Sequence, residues 1–123
     1  MQTPTDYRQD TDHLSDTCPV KAAIDVIRGR WKPSILCEIQ SGAKRFSEMQ
    51  VAIPEISPQI LTVQLRQLQA DGVLIRTVHT GIPLRVEYAL SAHGRELSAV
   101  MEELEVWGKG YLQRKLTGSL VQS

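Results

Sequence analysis

One stretch constrains this chain more than any other. Between Ser57 and Leu90 the hydrophobic period switches from helical to two with no linker in between. Ser57-Pro58 reads as a helix start, a serine cap followed by a proline where a missing N–H costs nothing. No Gly or Pro interrupts the run from there to Asp71, and Gly72 supplies the stop. At ~100° per residue, Leu61, Leu65 and Leu68 fall within about a quarter of the circumference and make a buried stripe. Gln59, Thr62, Val63, Arg66 and Ala70 form the facing side. Val73 through Thr80 is then rich in β-branched residues, Gly81-Ile82-Pro83-Leu84 reads as a turn, and Arg85 through Leu90 alternates again. The expectation is a helix leading straight into a β-hairpin, with Arg85 at its tip and Arg76 and His79 on its stems.

Helices flank this unit. The first begins at Asp16-Thr17-Cys18-Pro19, with Thr17 or Cys18 as N-cap, and carries Val20, Ala23, Ile24 and Ile27 at helical spacing before Gly29. A second is expected from about Lys32 to Gln40, with Trp31, Ile35, Leu36 and Ile39 inward and Gly42 ending it. Lys44-Arg45-Phe46 reads as a short strand, and Ser47 as the cap of a brief helix reaching about Ala52. Ser91 caps a long final helix, roughly Ala92 to Leu116, whose apolar side is Leu97, Val100, Met101, Leu104, Trp107, Tyr111 and Leu112. No repeat of about 20–50 residues is visible.

The predicted fold is mainly α with a small β-hairpin: a winged helix-turn-helix flanked by N- and C-terminal dimerisation helices. The length of 123 residues fits one domain, read as an acidic leader (1–16), a folded unit (17–116) and a tail (117–123). Composition, at 41% hydrophobic and 23% charged, is that of an ordinary globular protein. No apolar run approaches the ~20 residues of a membrane helix, and no secretory signal pattern opens the chain. Two cysteines are too few for a disulfide scaffold, and the expected compartment is a reducing cytoplasm.

Charge at first argues against nucleic acid, because 14 Lys and Arg balance 14 Asp and Glu. Position changes that reading. Residues 1–17 carry Asp6, Asp10, Asp12 and Asp16 against Arg8. Residues 18–50 carry Lys21, Arg28, Arg30, Lys32, Lys44 and Arg45 against Asp25, Glu38 and Glu48. An acidic leader, expected to be mobile, therefore offsets a basic segment of the fold.

A helix fits the ~12 Å major groove, and a hairpin beside it can set cations against phosphates or in the adjacent minor groove. The candidate base-facing residues are Gln59, Thr62, Val63 and Arg66, since Gln suits adenine, Thr a thymine methyl, and Arg guanine or phosphate. In isolation the same face equally suits a solvated helix, and Arg66 has the alternative of pairing with Glu55 or Asp71. Lys44, Arg45, Arg76 and Arg85 are candidates for phosphate contact, and Ser57 for a phosphate, a helix cap, or both.

Several short pieces stand in order: Cys18-Pro19-Val20, Gly29-x-Trp31, Lys44-Arg45-Phe46-Ser47-Glu48, Ile56-Ser57 and Leu61-Thr62. Leu65-Arg66-x-Leu68-x-x-Asp71-Gly72, Val86-Glu87-Tyr88 with Leu90-Ser91, and Trp107-Gly108 complete the set. Together they closely resemble the HxlR-type winged helix-turn-helix transcriptional regulators of bacteria, over about residues 17–112. The resemblance implies a homodimer on double-stranded operator DNA, acting as a repressor, often in response to electrophiles or oxidants, with Cys18 as the sensing thiol. It places the protein in the bacterial cytoplasm, on the nucleoid when operator-bound. Three positions depart from the pattern: Glu55 stands where Gly is usual before Ile56-Ser57, Gln59 where a basic residue is common, and Pro83-Leu84 where two prolines are usual.

Cys18 lies at a helix N-terminus, whose positive end favours thiolate, and Lys21 one turn on would add to this. The alternative is an inert buried cysteine. Cys37, beside the inner stripe, reads as a packing residue. His13, His79 and His93 have no metal-ligand spacing, and no nucleophile–base set or phosphate loop is present, so neither a metal, a cofactor nor an enzyme activity is expected. Leu97, Met101, Leu104, Trp107 and Tyr111 exceed what one small core needs and mark a dimer face. Gly108 and Gly110 suggest close approach of another helix or a local break. Two rival readings stay open: a regulator that takes a small ligand, with Cys18 structural, and a winged helix used as a protein-interaction module.

Overall fold

The computed structural model describes residues 18–118; the acidic leader, Thr17, His13 and residues 119–123 lie outside the described residues. Five helices and three strands follow one another: α1 (Pro19–Ile27), α2 (Lys32–Ile39), β1 (Lys44–Arg45), α3 (Phe46–Ala52), α4 (Pro58–Ala70), β2 (Leu74–His79), β3 (Arg85–Leu90) and α5 (Ala92–Thr117).

α4 is as the sequence dictates. The Ser57 hydroxyl accepts from the Ile60 N–H at 3.2 Å, Pro58 occupies the first turn, and Gly72 adopts the left-handed conformation with φ 76°. Leu61, Leu65 and Leu68 are fully buried and meet Ile35, Leu36 and Ile39 of α2, Met49 of α3, and Val73 and Leu74 at the wing's base. Trp31, Phe46, Tyr88, Leu90, Leu97 and Met101 pack around this core.

The hairpin is part of a three-stranded antiparallel sheet in the order β1-β3-β2. Lys44 pairs with Tyr88 and Arg45 with Glu87, while Leu74 to His79 pair with Leu90 to Arg85. The short basic strand thus closes one side of the wing. β2 ends at His79, one residue earlier than the sequence pattern suggests.

The cap of α3 differs from expectation. Glu48 reaches back to accept the Arg45 backbone N–H at 2.7 Å, so the helix starts at Phe46 with Arg45 as N-cap, and Ser47 lies exposed inside it. A carboxylate at the third helical position satisfies an orphan N–H that a serine cap would leave open.

Ser91 both caps α5 and fastens it to the wing. Its hydroxyl accepts from Gly94 N–H at 2.9 Å and donates to the Gly72 carbonyl at 2.6 Å, and its N–H donates to the Val73 carbonyl at 2.9 Å. Gly94 is buried, and a Cβ there would run into that same Val73 carbonyl, so only glycine allows this close seat. Gln40 donates to the Ser98 hydroxyl and ties α2 to the second turn of α5. Beyond Met101 the helix continues, unbroken at Gly108 and Gly110, until Gly118 ends it with φ 80°. The local break that the paired glycines suggested does not occur.

Candidate nucleic-acid interface

Turning the Leu61–Leu65–Leu68 stripe inward fixes what α4 shows to solvent. Gln59, Val63 and Arg66 are exposed and Thr62 is half-buried. The Thr62 hydroxyl donates to the Pro58 carbonyl at 2.8 Å, which uses its donor within the helix and leaves its methyl as the group to offer. Arg66 forms no ion pair with Glu55, Asp71 or any other described residue. On the far flank of α4, Lys32 donates to Gln67 at 2.6 Å and pins the helix to α2.

Strand register then sorts the basic residues of the wing, because directly opposed residues share a face. Arg76, Tyr88 and Lys44 lie in one cross-strand row, on the side of the buried Leu74. Thr77, Glu87 and Arg45 form the adjacent row on the other side, with His79 and Arg85 beyond them toward the tip. Arg76 and Arg85 therefore face opposite ways. Arg76 helps line an open cleft between wing and helix whose other walls are Thr62, Arg66, Gln69 and Tyr88. The structure brings three of the sequence-derived candidates together there.

The outer row holds a pairing that sequence reasoning missed. His79 Nε2 lies 2.9 Å from Glu87 Oε1, which places a carboxylate among Arg45, Arg85 and His79. Lys44 donates to the Ser41 hydroxyl at 3.2 Å, leaving two of its N–H donors. Gln69 and Tyr88 were also missed, since only the folded register carries them to the cleft.

The flanking helices are unlike this module. α1 has no buried residue; Val26 and Ile27 touch the core, whereas Val20 and Ile24 are exposed. On α5, Leu97 and Met101 are spent on the chain's own core. Leu104 is exposed, as is Trp107 at 63%, and Trp107 stacks on the half-buried Tyr111 at 5.4 Å. Val100, Leu112 and Leu116 extend the exposed apolar surface.

Both cysteines are free thiols. Cys18 is exposed as the N-cap of α1, so the alternative of a buried, inert thiol does not hold. Lys21 is held by Asp25 at 3.0 Å, an ion pair that Arg28 joins at 3.2 Å, so its charge is shared along the helix. Cys37 corrects the expectation of a packing residue: it is exposed in a groove with Pro33, Ser34, Glu38, Ala52, Ile53 and Glu55. Desolvation pushes its thiol pKa up, and the carboxylates of Glu105 and Glu38 push it further. Glu55 lines this groove, on the α2 side of the turn into α4. Among the described residues no group of His, Cys, Asp and Glu is arranged to hold a metal, and no helix is long and apolar enough to cross a membrane.

Residues 26–116 match the model of the HxlR-like helix-turn-helix family. YtcD of Bacillus subtilis, an uncharacterised helix-turn-helix-type transcriptional regulator, is 44% identical over 95 residues, covering 77% of this chain and 75% of YtcD. The redox regulator HypR in its reduced form superposes with a TM-score of 0.72 at 39% identity, over 76% of this chain and 92% of HypR. The reduced form of the regulator YodB from Bacillus subtilis superposes with a TM-score of 0.68 at 33% identity, over 73% and 89% of the two chains.

Proposed function

Because this chain belongs to the HxlR-like helix-turn-helix family of DNA-binding transcriptional regulators, we propose that it is a homodimeric repressor whose grip on its operator is released by electrophiles or oxidants acting at Cys18. The single observation that carries the DNA reading is the arrangement of α4 and the wing. An outer helix face bearing Gln59, Thr62, Val63 and Arg66 stands beside a hairpin that turns Arg76 to the same cleft. Seated in the major groove, α4 offers Gln59 and the Thr62 methyl to base edges, while Ser57 and the Lys44 ammonium meet the backbone. The wing carries Arg85, and β1 carries Arg45, on the side away from α4.

Dimerisation rests on the apolar surface that one chain leaves open on α5 (Leu104, Trp107 and Tyr111, with Leu97 and Met101 continuing it into the core) and on Val20 and Ile24 of α1. A two-fold axis through this surface would set two recognition helices about one DNA turn apart, ~34–36 Å. Cys18 begins the same α1, so a bulky or charged adduct there favours dimer geometries that do not fit the operator. Release is then a population shift rather than catalysis. The redox regulator HypR, and the transcriptional regulator YodB in its reduced form, stand among the structural neighbours and support a thiol trigger.

Fluorescence anisotropy on duplexes from the region upstream of the protein's own gene, against shuffled duplexes over a salt series, tests the reading. A preference for one upstream duplex with a strongly negative slope of log K against log salt supports it. Equal, weak binding to every duplex would transfer the protein to the interaction-module class. Cys18→Ser is expected to bind normally but to stay bound when a quinone or diamide is added; a variant still released as the parent is would refute the trigger.

A further inference from the structure

The cleft between α4 and the wing contains more than its two arginines. Arg66, Gln69, Arg76 and Tyr88 line it, and none of their side chains has a hydrogen bond or ion pair among the described residues. Of the other cations near this face, Lys32 donates to Gln67 and Arg30 lies over the Trp31 ring at 4.4 Å, while Lys44 gives one of its three N–H donors to Ser41. Two guanidinium groups from different elements, facing one crease with a phenol beside them and no carboxylate among the lining residues, form a site for a single anion. The nearest acidic side chain on the wing, Glu87, belongs to the opposite face of the sheet and is held by His79.

The nature of the anion follows from where the crease lies. With α4 in the major groove and the wing over the adjacent minor groove, the strand separating the two grooves has to pass between helix and wing. Arg66 lies seven residues beyond Gln59, about 10 Å along the helix axis, and so sits at the groove's edge rather than at its floor. We propose that Arg66, Arg76 and the Tyr88 hydroxyl hold one phosphate of that dividing strand, so that Arg66 anchors the complex and does not read a base. Gln69, which also lines the cleft, contributes a neutral donor to the neighbouring sugar-phosphate. Guanidinium groups suit this role through paired N–H donors, and the phenol adds a third donor without charge. Base reading is then left to Gln59, Thr62 and Val63.

This assignment rests on the regulator reading, and its test separates the two. Binding to the operator duplex and to a shuffled duplex is measured by anisotropy over a salt series for the parent, Arg66→Gln, Arg76→Gln, the double variant and Tyr88→Phe, each checked for an unchanged melting curve. If the parent does not prefer the operator, the regulator reading fails and this one falls with it before any variant is compared. Given that preference, each single variant weakens binding to both duplexes by the same factor, about tenfold, with base preference intact. The double variant lowers the salt slope by ~1 per half-site, because both arginines serve one phosphate. Tyr88→Phe weakens both duplexes about threefold and leaves the slope unchanged. The proposal is overturned by a slope loss of ~2 per half-site in the double variant, by relaxed preference at a single base pair in Arg66→Gln, or by full affinity in Tyr88→Phe.

Discussion

Helices α4 and α5 both carry apolar residues at helical spacing, yet they end in opposite conditions. α4 is 13 residues long and buries Leu61, Leu65 and Leu68 completely within the chain. α5 is twice that length, about 39 Å, and Gly94 is its one buried residue among those described. Its first three turns dock through Ser91, Gly94, Leu97 and Met101; past them Leu104, Trp107, Leu112 and Leu116 face outward. Periodicity shows that a helix has an apolar side, while burial depends on what the chain can bring to that side. Here α2, α3 and the wing close around α4, whereas among the described residues nothing covers Leu104, Trp107, Leu112 or Leu116 on the far half of α5. The helix-turn-helix closes its own core, and the flanking helices leave apolar surface open, which is why the proposed dimer is drawn through them.

The sharpest way to break that contrast is to empty the closed side. Leu65→Ala removes a fully buried side chain and is expected to cost about 2–5 kcal/mol of unfolding free energy in urea titration. A loss below about 1 kcal/mol would mean that the α4 core is not the stabilising centre. On the open side, Trp107→Ala should leave the α4 core intact while weakening self-association at least thirtyfold in sedimentation equilibrium, the ~2 kcal/mol of an interface anchor. An unchanged dimer would remove α5 from the interface. Glycines sharpen the comparison further. Gly94→Ala should destabilise by about 1–3 kcal/mol, because the new methyl meets the Val73 carbonyl. Gly108→Ala, with nothing within 4 Å of its Cβ position, should gain up to ~1 kcal/mol when both are measured by thermal melting in the Trp107→Ala background.

The smallest expected effect concerns Cys37, studied in Cys18→Ser protein. Its raised thiol pKa leaves less thiolate at a given pH, so iodoacetamide labelling should climb only as the pH passes above the ordinary thiol range. The same shift has a stability sign: the folded state holds this proton more tightly, so its contribution is complete below the unfolded thiol pKa and is lost as pH rises through the folded one. Glu105→Gln removes one of the two carboxylates that hold the thiol proton and should speed labelling at pH 8 by less than about tenfold, the effect of one screened charge. No change would show that α5 does not approach α2 in solution.

The helix–wing unit was legible in the sequence because its punctuation is local. A serine cap, a proline, an uninterrupted run and a glycine mark α4, and alternation marks the strands. What escaped depends on partners distant in sequence. The start of α3 moved because Glu48 satisfies the Arg45 N–H, a reciprocal bond that competes with the more obvious Ser47. The division of Arg76 from Arg85, and the arrival of Tyr88 and Gln69 at the cleft, follow from the strand register, which the loop at 80–84 fixes. The sequence stripe on α5 joined Leu97 and Met101 to Leu104 and Trp107 because all share a helical side; only the end of the core, near Met101, divides them. Gly94 has no local signal in the sequence, since the Val73 carbonyl that requires a glycine there lies far away in the chain.

Hydroxyl-radical footprinting of the parent protein on its upstream region tests the central claim most directly. The account predicts two protected patches centred about one helical turn apart, ~34–36 Å, related by a two-fold axis, each losing protection when Gln59 and Thr62 are replaced by alanine. A single unpaired patch, or protection spread evenly along the duplex, would contradict it.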